Sequence, residues 1–174
     1  GFIFYEGILS QIAANPPLAG SDSPILLPSA GVIANSLAWS PVDDRIVYSD
    51  LDHISVVLPG ADDGGTPLID KSAAELVLGL DWLPDGSGFI FAITDALAQN
   101  SNIYEYSFPA NSLTPITDFA DDYAGGLSVS PNGQEIVFEF ARAIGDPSEL
   151  WIIRRDGTNL RSLETRGESP DWQP

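Results

Sequence analysis

Few residues in this chain could carry acid–base or ligand chemistry. There is one histidine, His53, directly after Asp52. A serine triad would have to use it, since imidazole is the base that takes the nucleophile's proton. No Gly-x-Ser-x-Gly elbow accompanies it anywhere in the chain. His53 stands at the mouth of a run of β-formers and reads as a turn or rim residue. Cysteine is absent, which excludes disulfides, zinc–thiolate sites and thiol nucleophiles. With one histidine and no thiol, zinc lacks a ligand set.

Calcium needs only oxygen ligands. Asp50-Leu51-Asp52, Asp62-Asp63 and Asp121-Asp122 could supply them, with Asp121 and Asp122 the candidate pair. None of these runs matches the calcium-loop pattern, and Asp is favoured at turns without any metal. Two carboxylates across a cleft can hydrolyse a glycoside, but the acids here fall mostly in turns. Gly64-Gly65 and Gly125-Gly126 are isolated pairs, not a phosphate loop. The expectation is a chain without catalytic residues and without a cofactor, and not an enzyme.

These residues are carried by a packed protein. Its 174 residues are 44% hydrophobic and only 18% charged, a balance that buries a core rather than a disordered one. Apolar runs such as Phe89-Ile90-Phe91-Ala92-Ile93 are far shorter than the roughly 20 residues of a membrane-spanning helix. Acidic residues number 25 against 7 basic, for a net charge of -18. Phosphate affinity comes from Lys and Arg, so nucleic acid is excluded as a partner; anionic membrane surfaces are disfavoured likewise. The charge serves solubility first and cation binding second. Methionine is absent and Lys71 is the only lysine. That composition points to an extracellular, cell-surface or periplasmic location. Gly1 in place of Met fits a processed chain or a piece of a longer one.

A repeat governs the order of the elements. Leu37-Ala38-Trp39-Ser40-Pro41, Leu80-Asp81-Trp82-Leu83-Pro84, Leu127-Ser128-Val129-Ser130-Pro131 and Pro170-Asp171-Trp172-Gln173-Pro174 end in the same proline, at spacings of 43, 47 and 43 residues. That period suits one four-stranded propeller blade. Turn-formers follow at Asp43-Asp44, Asp85-Gly86 and Asn132-Gly133, and then strands at Arg45–Ser49, Gly88–Ala92 and Glu135–Glu139. Third strands are expected at His53–Leu58, Asn102–Phe108 and Glu149–Arg154, and fourth strands at Thr66–Asp70, Leu113–Asp118 and Asn159–Glu164. Ser72–Leu76 could form one helical turn. Trp39, Trp82, Val129 and Trp172 share one repeat position, which the valine marks as a packing slot. Trp151 belongs to a third strand and is expected to be partly exposed.

The Trp-Ser-Pro-Asp-Gly-like motif, with Leu150-Trp151-Ile152-Ile153-Arg154-Arg155-Asp156-Gly157-Thr158-Asn159-Leu160, resembles the TolB-type, WD-like β-propeller repeat. The resemblance runs over essentially the whole chain, most weakly over Gly1–Val32. It implies an all-β propeller of four-stranded antiparallel blades. Such blades serve periplasmic scaffolds, peptidase gating domains and surface proteins alike.

Family propellers usually have six or more blades, and this chain has material for four. Gly1–Glu6 looks like a second strand without its first, and Ser169–Pro174 like a first strand without its second. One propeller domain over 1–174 follows, with blades at about 169–174 plus 1–33, 34–77, 78–124 and 125–168. Pairing of Ser169–Pro174 with Phe2–Glu6 would close a four-blade ring and remove its open edges. The same pairing between molecules would make a polymer.

The expected function is a non-catalytic structural or assembly module that self-associates or scaffolds a protein partner. The alternatives are a propeller that binds a peptide, ligand or cation, and the gating propeller of a larger enzyme.

Overall fold

The computed structural model describes residues 36–58 and 65–172, and the strand backbone at 2–5 and 12–15. Its strands are β1 (Phe2–Tyr5), β2 (Ile12–Asn15), β3 (Ser36–Trp39), β4 (Ile46–Ser49), β5 (His53–Val57), β6 (Thr66–Asp70) and β7 (Glu75–Trp82). They continue as β8 (Gly88–Asp95), β9 (Asn100–Ser107), β10 (Ser112–Pro115), β11 (Tyr123–Val129), β12 (Glu135–Ala141), β13 (Glu149–Arg154) and β14 (Arg161–Arg166). No α-helix forms among the described residues.

Three four-stranded antiparallel meanders result, β3–β6, β7–β10 and β11–β14, and β1 pairs with β2 in a two-stranded sheet. Strands β1–β6 fall in one compact unit and β7–β14 in another.

Turn chemistry sets each meander. Gly86 and Gly133 take φ of +69° at the first hairpins, a backbone that glycine adopts without a Cβ penalty. Asp85 locks its turn by accepting from the Ser87 amide (2.9 Å) and hydroxyl (2.6 Å). Asp156 does the same with Thr158 at the β13–β14 turn (3.0 and 2.6 Å). Asn132 accepts from the Gln134 amide at 3.0 Å in the equivalent turn before β12.

The repeat proves to be a repeat of register. Trp39 pairs with Ile46, Trp82 with Phe89 and Val129 with Ile136, each at the close of a first strand. Trp82 is buried on the rings of Phe108 and Phe89, Val129 is buried, and Trp39 is half-buried. Trp172 is half-buried and lies outside any strand, and its indole N–H donates to the Ser128 carbonyl at 3.1 Å.

In the second unit β8 is buried on both faces, which explains its unbroken apolar run. Ile90 and Ala92 join Ile103, Leu127, Phe138 and Ile153 in one core shared by β7–β10 and β11–β14. Phe89 and Phe91 alternate to the opposite face, stacked on Tyr106 and Tyr104. Trp151 is half-buried, with its ring 4.4 Å from that of Phe140.

Two expectations shift. Glu75 and Leu76 open β7 instead of closing a helical turn, because they pair with Asp95 and Thr94. The amides and carbonyls of the long β8 need partners along their length, and that need outweighs a weak local helical preference. The fourth strands slide by a few residues, to Ser112–Pro115 and Arg161–Arg166. Ser169–Trp172 forms no strand, and Glu6, Gln173 and Pro174 lie outside the described residues.

Candidate binding cleft

The first strands of the two packed blades are both bulged near the middle. Register slips between Val77 and Gly79 in β7, and between Ala124 and Leu127 in β11. A β-bulge bends its strand and re-aims the neighbouring side chains. Glycine permits the close approach here: a Cβ on Gly79 would lie 2.8 Å from the Leu127 nitrogen and 3.0 Å from the Gly126 Cα.

Beside the bulges a cleft of about 300 Å³ opens. Leu78 and Thr94 line one side, and Tyr123, Gly125, Glu139 and Ala141 the other. The loop between β12 and β13 closes the rim with Ala143, Ile144, Asp146 and Ser148. The lining is mainly apolar. Ile144 is 77% exposed and Leu78 40%, so apolar surface faces solvent at the mouth. The lining carries two carboxylates, Asp146 on the rim loop and, on β12, Glu139. Its Oε1 accepts from the Ser169 amide at 2.6 Å, and Oε2 has no hydrogen-bond partner among the described residues.

Two further clefts lie in the same unit. One of about 480 Å³ is lined by Glu105, Gln134, Arg154, Arg155 and Asp156. Of its two arginines Arg155 is already neutralised, since its Nε and Nη2 each donate to a Glu105 oxygen at 2.6 Å. That hydrogen bonding holds the guanidinium above its ordinary pKa. The other, about 640 Å³, lies near Asn102, Thr117 and Phe119. The Asn102 carboxamide oxygen there is used by the Thr117 hydroxyl at 2.8 Å and the Phe119 amide at 2.6 Å.

At the opposite end of β7 and β11, Asp81 spans two blades. Oδ2 accepts from the Val129 amide at 2.7 Å and the Ser128 hydroxyl at 3.3 Å, and Oδ1 from the Trp82 amide at 2.8 Å. The Ser128 hydroxyl also lies 3.4 Å from Asp171 Oδ1. Burial pushes the Asp81 carboxyl above its ordinary value, the charge of Asp171 adds to the rise, and the three hydrogen bonds oppose it. Sequence reasoning missed this bond and Glu139 alike. The signal for the first was in the repeat, where Asp81, Ser128 and Asp171 occupy one column.

His53 opens β5, half-exposed. Its Nδ1 lies 3.8 Å from Asp50 Oδ1 and its Nε2 3.7 Å from Asp70 Oδ1. Asp50 is occupied by the turn, where it accepts from the Asp52 and His53 amides at 2.8 and 2.7 Å. Among the described residues no serine or threonine hydroxyl is bonded to the imidazole. Asp122 pairs with Arg142 at 3.3 Å, while Asp121 is exposed beside it. The described residues contain no group of three or more His, Cys, Asp or Glu placed to hold a metal ion. Asp62 and Asp63 lie outside the described residues.

Four-stranded antiparallel meanders, with β7–β10 and β11–β14 packed on each other through their first strands, are blades of the propeller class, and the fold is TolB-like. The chain aligns with a protein assigned as TolB from Agrobacterium tumefaciens at 25% identity and a TM-score of 0.64, covering 84% of this chain and 52% of that one. It aligns with TolB from Acinetobacter baumannii at 18% identity and a TM-score of 0.66, over 91% of this chain and 38% of that one. An oligogalacturonate lyase in complex with manganese aligns at 14% identity and a TM-score of 0.62, over 81% and 39%. This chain thus spans about half the length, or less, of the solved propellers it resembles. No family model and no curated protein matches it.

Proposed function

We propose that this chain is a non-catalytic propeller module that docks a protein partner, with the cleft beside Gly125 and Glu139 as the docking point. The observation that carries the reading is the apolar wall left open to solvent between two rigidly packed blades. Binding sites are concave and mainly apolar, with a few fixed polar groups. Scaffold rigidity comes from the shared core, and the β12–β13 loop supplies the variable rim.

The non-catalytic part rests on His53, whose neighbours are the turn carboxylate Asp50 and the exposed carboxylate Asp70 rather than a nucleophile it could activate. The TolB neighbours support it and the lyase neighbour is the counter-example, so His53 is tested below. Closure of a four-blade ring by the chain ends, self-association and an extracytoplasmic location belong to the same proposal. Their support is the repeat arithmetic, the acidic composition and the TolB-like fold.

Selection of peptides by display on the chain, followed by amide chemical-shift mapping of the winners, tests the docking point. The expected footprint covers Gly125, Ile144 and Gly145. A footprint confined to the β13–β14 turn or to the outer strand β10 would overturn it.

A further inference from the structure

We propose that the cleft selects a lysine side chain of its partner, gripping the aliphatic stem with its apolar walls and the ammonium with Glu139. The inference rests on the docking reading above and adds the chemistry of the occupant.

Charge distribution is the first argument. Strand register places Glu75, Asp95 and Asn100 at one end of the β7–β10 blade. Tyr123, Ala141 and Glu149 lie at the corresponding end of β11–β14. The cleft joins these two ends. The lining carries Asp146 beside Glu139, and the strand ends that meet there carry Glu75, Asp95, Asp122 and Glu149 against Arg142 and Arg166. Arg142 is spent on Asp122 and on the face of the Phe140 ring. The other end mixes Asp85, Glu135 and Asp156 with Arg154, Arg155 and Arg161, and pairs Arg161 with Glu135. A cation is therefore drawn to the cleft end and not to the opposite one.

The second argument is the geometry of Glu139. A guanidinium binds a carboxylate best as a fork onto two oxygens. Here Oε1 already accepts the Ser169 amide, so a fork onto both oxygens has to share Oε1 with that amide, while Oε2 stands open to a donor of its own. A single acceptor suits an ammonium, which acts as a point charge. Gly125 and Gly126 leave room for that carboxylate: a Cβ on Gly126 would fall 2.8 Å from Oε1, and one on Gly125 3.1 Å from Oε2. The apolar walls match four methylenes, which bury along such surface while the charged head meets its acceptor.

The test is an amide NMR titration of the full 174-residue chain with three probes. They are the Nα-acetyl methylamides of lysine, norleucine and arginine. Lysine is expected to shift Gly125 and Ile144 saturably, with norleucine and arginine at least about fivefold weaker. Glu139→Gln should bring lysine down to the norleucine level. Norleucine binding as well as lysine would overturn the cationic occupant while leaving the docking cleft intact. Arginine binding as tightly as lysine would overturn selection of the ammonium. Silence from all three probes would overturn the docking cleft as well. The probe comparison uses the unaltered chain, so a folding defect in the variant cannot mask the outcome.

Discussion

The carboxylate of Asp81 accepts the Val129 amide at 2.7 Å across 48 residues of sequence, tying the first strand of one blade to the first strand of the next. A buried backbone amide needs a partner, and here it is supplied by a side chain of the neighbouring blade. Asp81→Ala strands that amide and is expected to destabilise the chain by about 1–3 kcal/mol. Asp81→Asn keeps a carbonyl acceptor and should cost less. Urea unfolding of both variants checks the order.

The same residue gives a pH signature. Burial raises the folded pKa of Asp81 above its unfolded value. Its contribution is therefore fully present below the unfolded pKa and is lost as pH rises through the folded one. Asp85 and Asp156 act in the opposite sense: hydrogen bonds from Ser87 and Thr158 lower their pKa values, so their contributions fade as pH falls. Subtracting Asp81→Asn from wild type removes these common terms. The difference should turn toward wild type as pH is lowered from neutrality into the acid range. A difference that is flat with pH would contradict the assignment.

Gly79→Ala should destabilise by about 1–3 kcal/mol, because its new Cβ meets backbone that cannot move aside. Gly145 is the control. It has φ of +87° but open space around it, so Gly145→Ala bears backbone strain alone, about 1 kcal/mol. Thermal unfolding of the two variants should separate them in that order.

His53→Ala should leave any hydrolytic activity of the chain unchanged, because among the described residues the imidazole meets the carboxylates of Asp50 and Asp70 and no hydroxyl. Assays with peptide and oligogalacturonate substrates check this. Loss of turnover on that substitution alone would overturn the non-catalytic reading.

Much of the architecture was legible because a blade is local. Four short strands, each stopped by Asp, Asn or Gly, leave the same trace every 43 to 47 residues, and Trp39, Trp82 and Val129 duly share one register. The opening of β7 at Glu75 was not legible, since pairing with Asp95 and not local preference decides it. The site was almost wholly illegible. Glu139 looks like any polar residue on an alternating strand, and its partner Ser169 lies 30 residues away. The bulges that open the cleft appear in sequence only as Gly79 and Gly125-Gly126, glycines that also suit a plain turn.

The account stands most directly on one affinity. Ala143 sits exposed on the cleft rim, so Ala143→Trp fills the mouth without touching the core. A display-selected peptide should bind the unaltered chain at least about tenfold more tightly than this variant, as measured by calorimetry. Equal affinity for the two, with the variant folded, would place docking elsewhere and contradict the account.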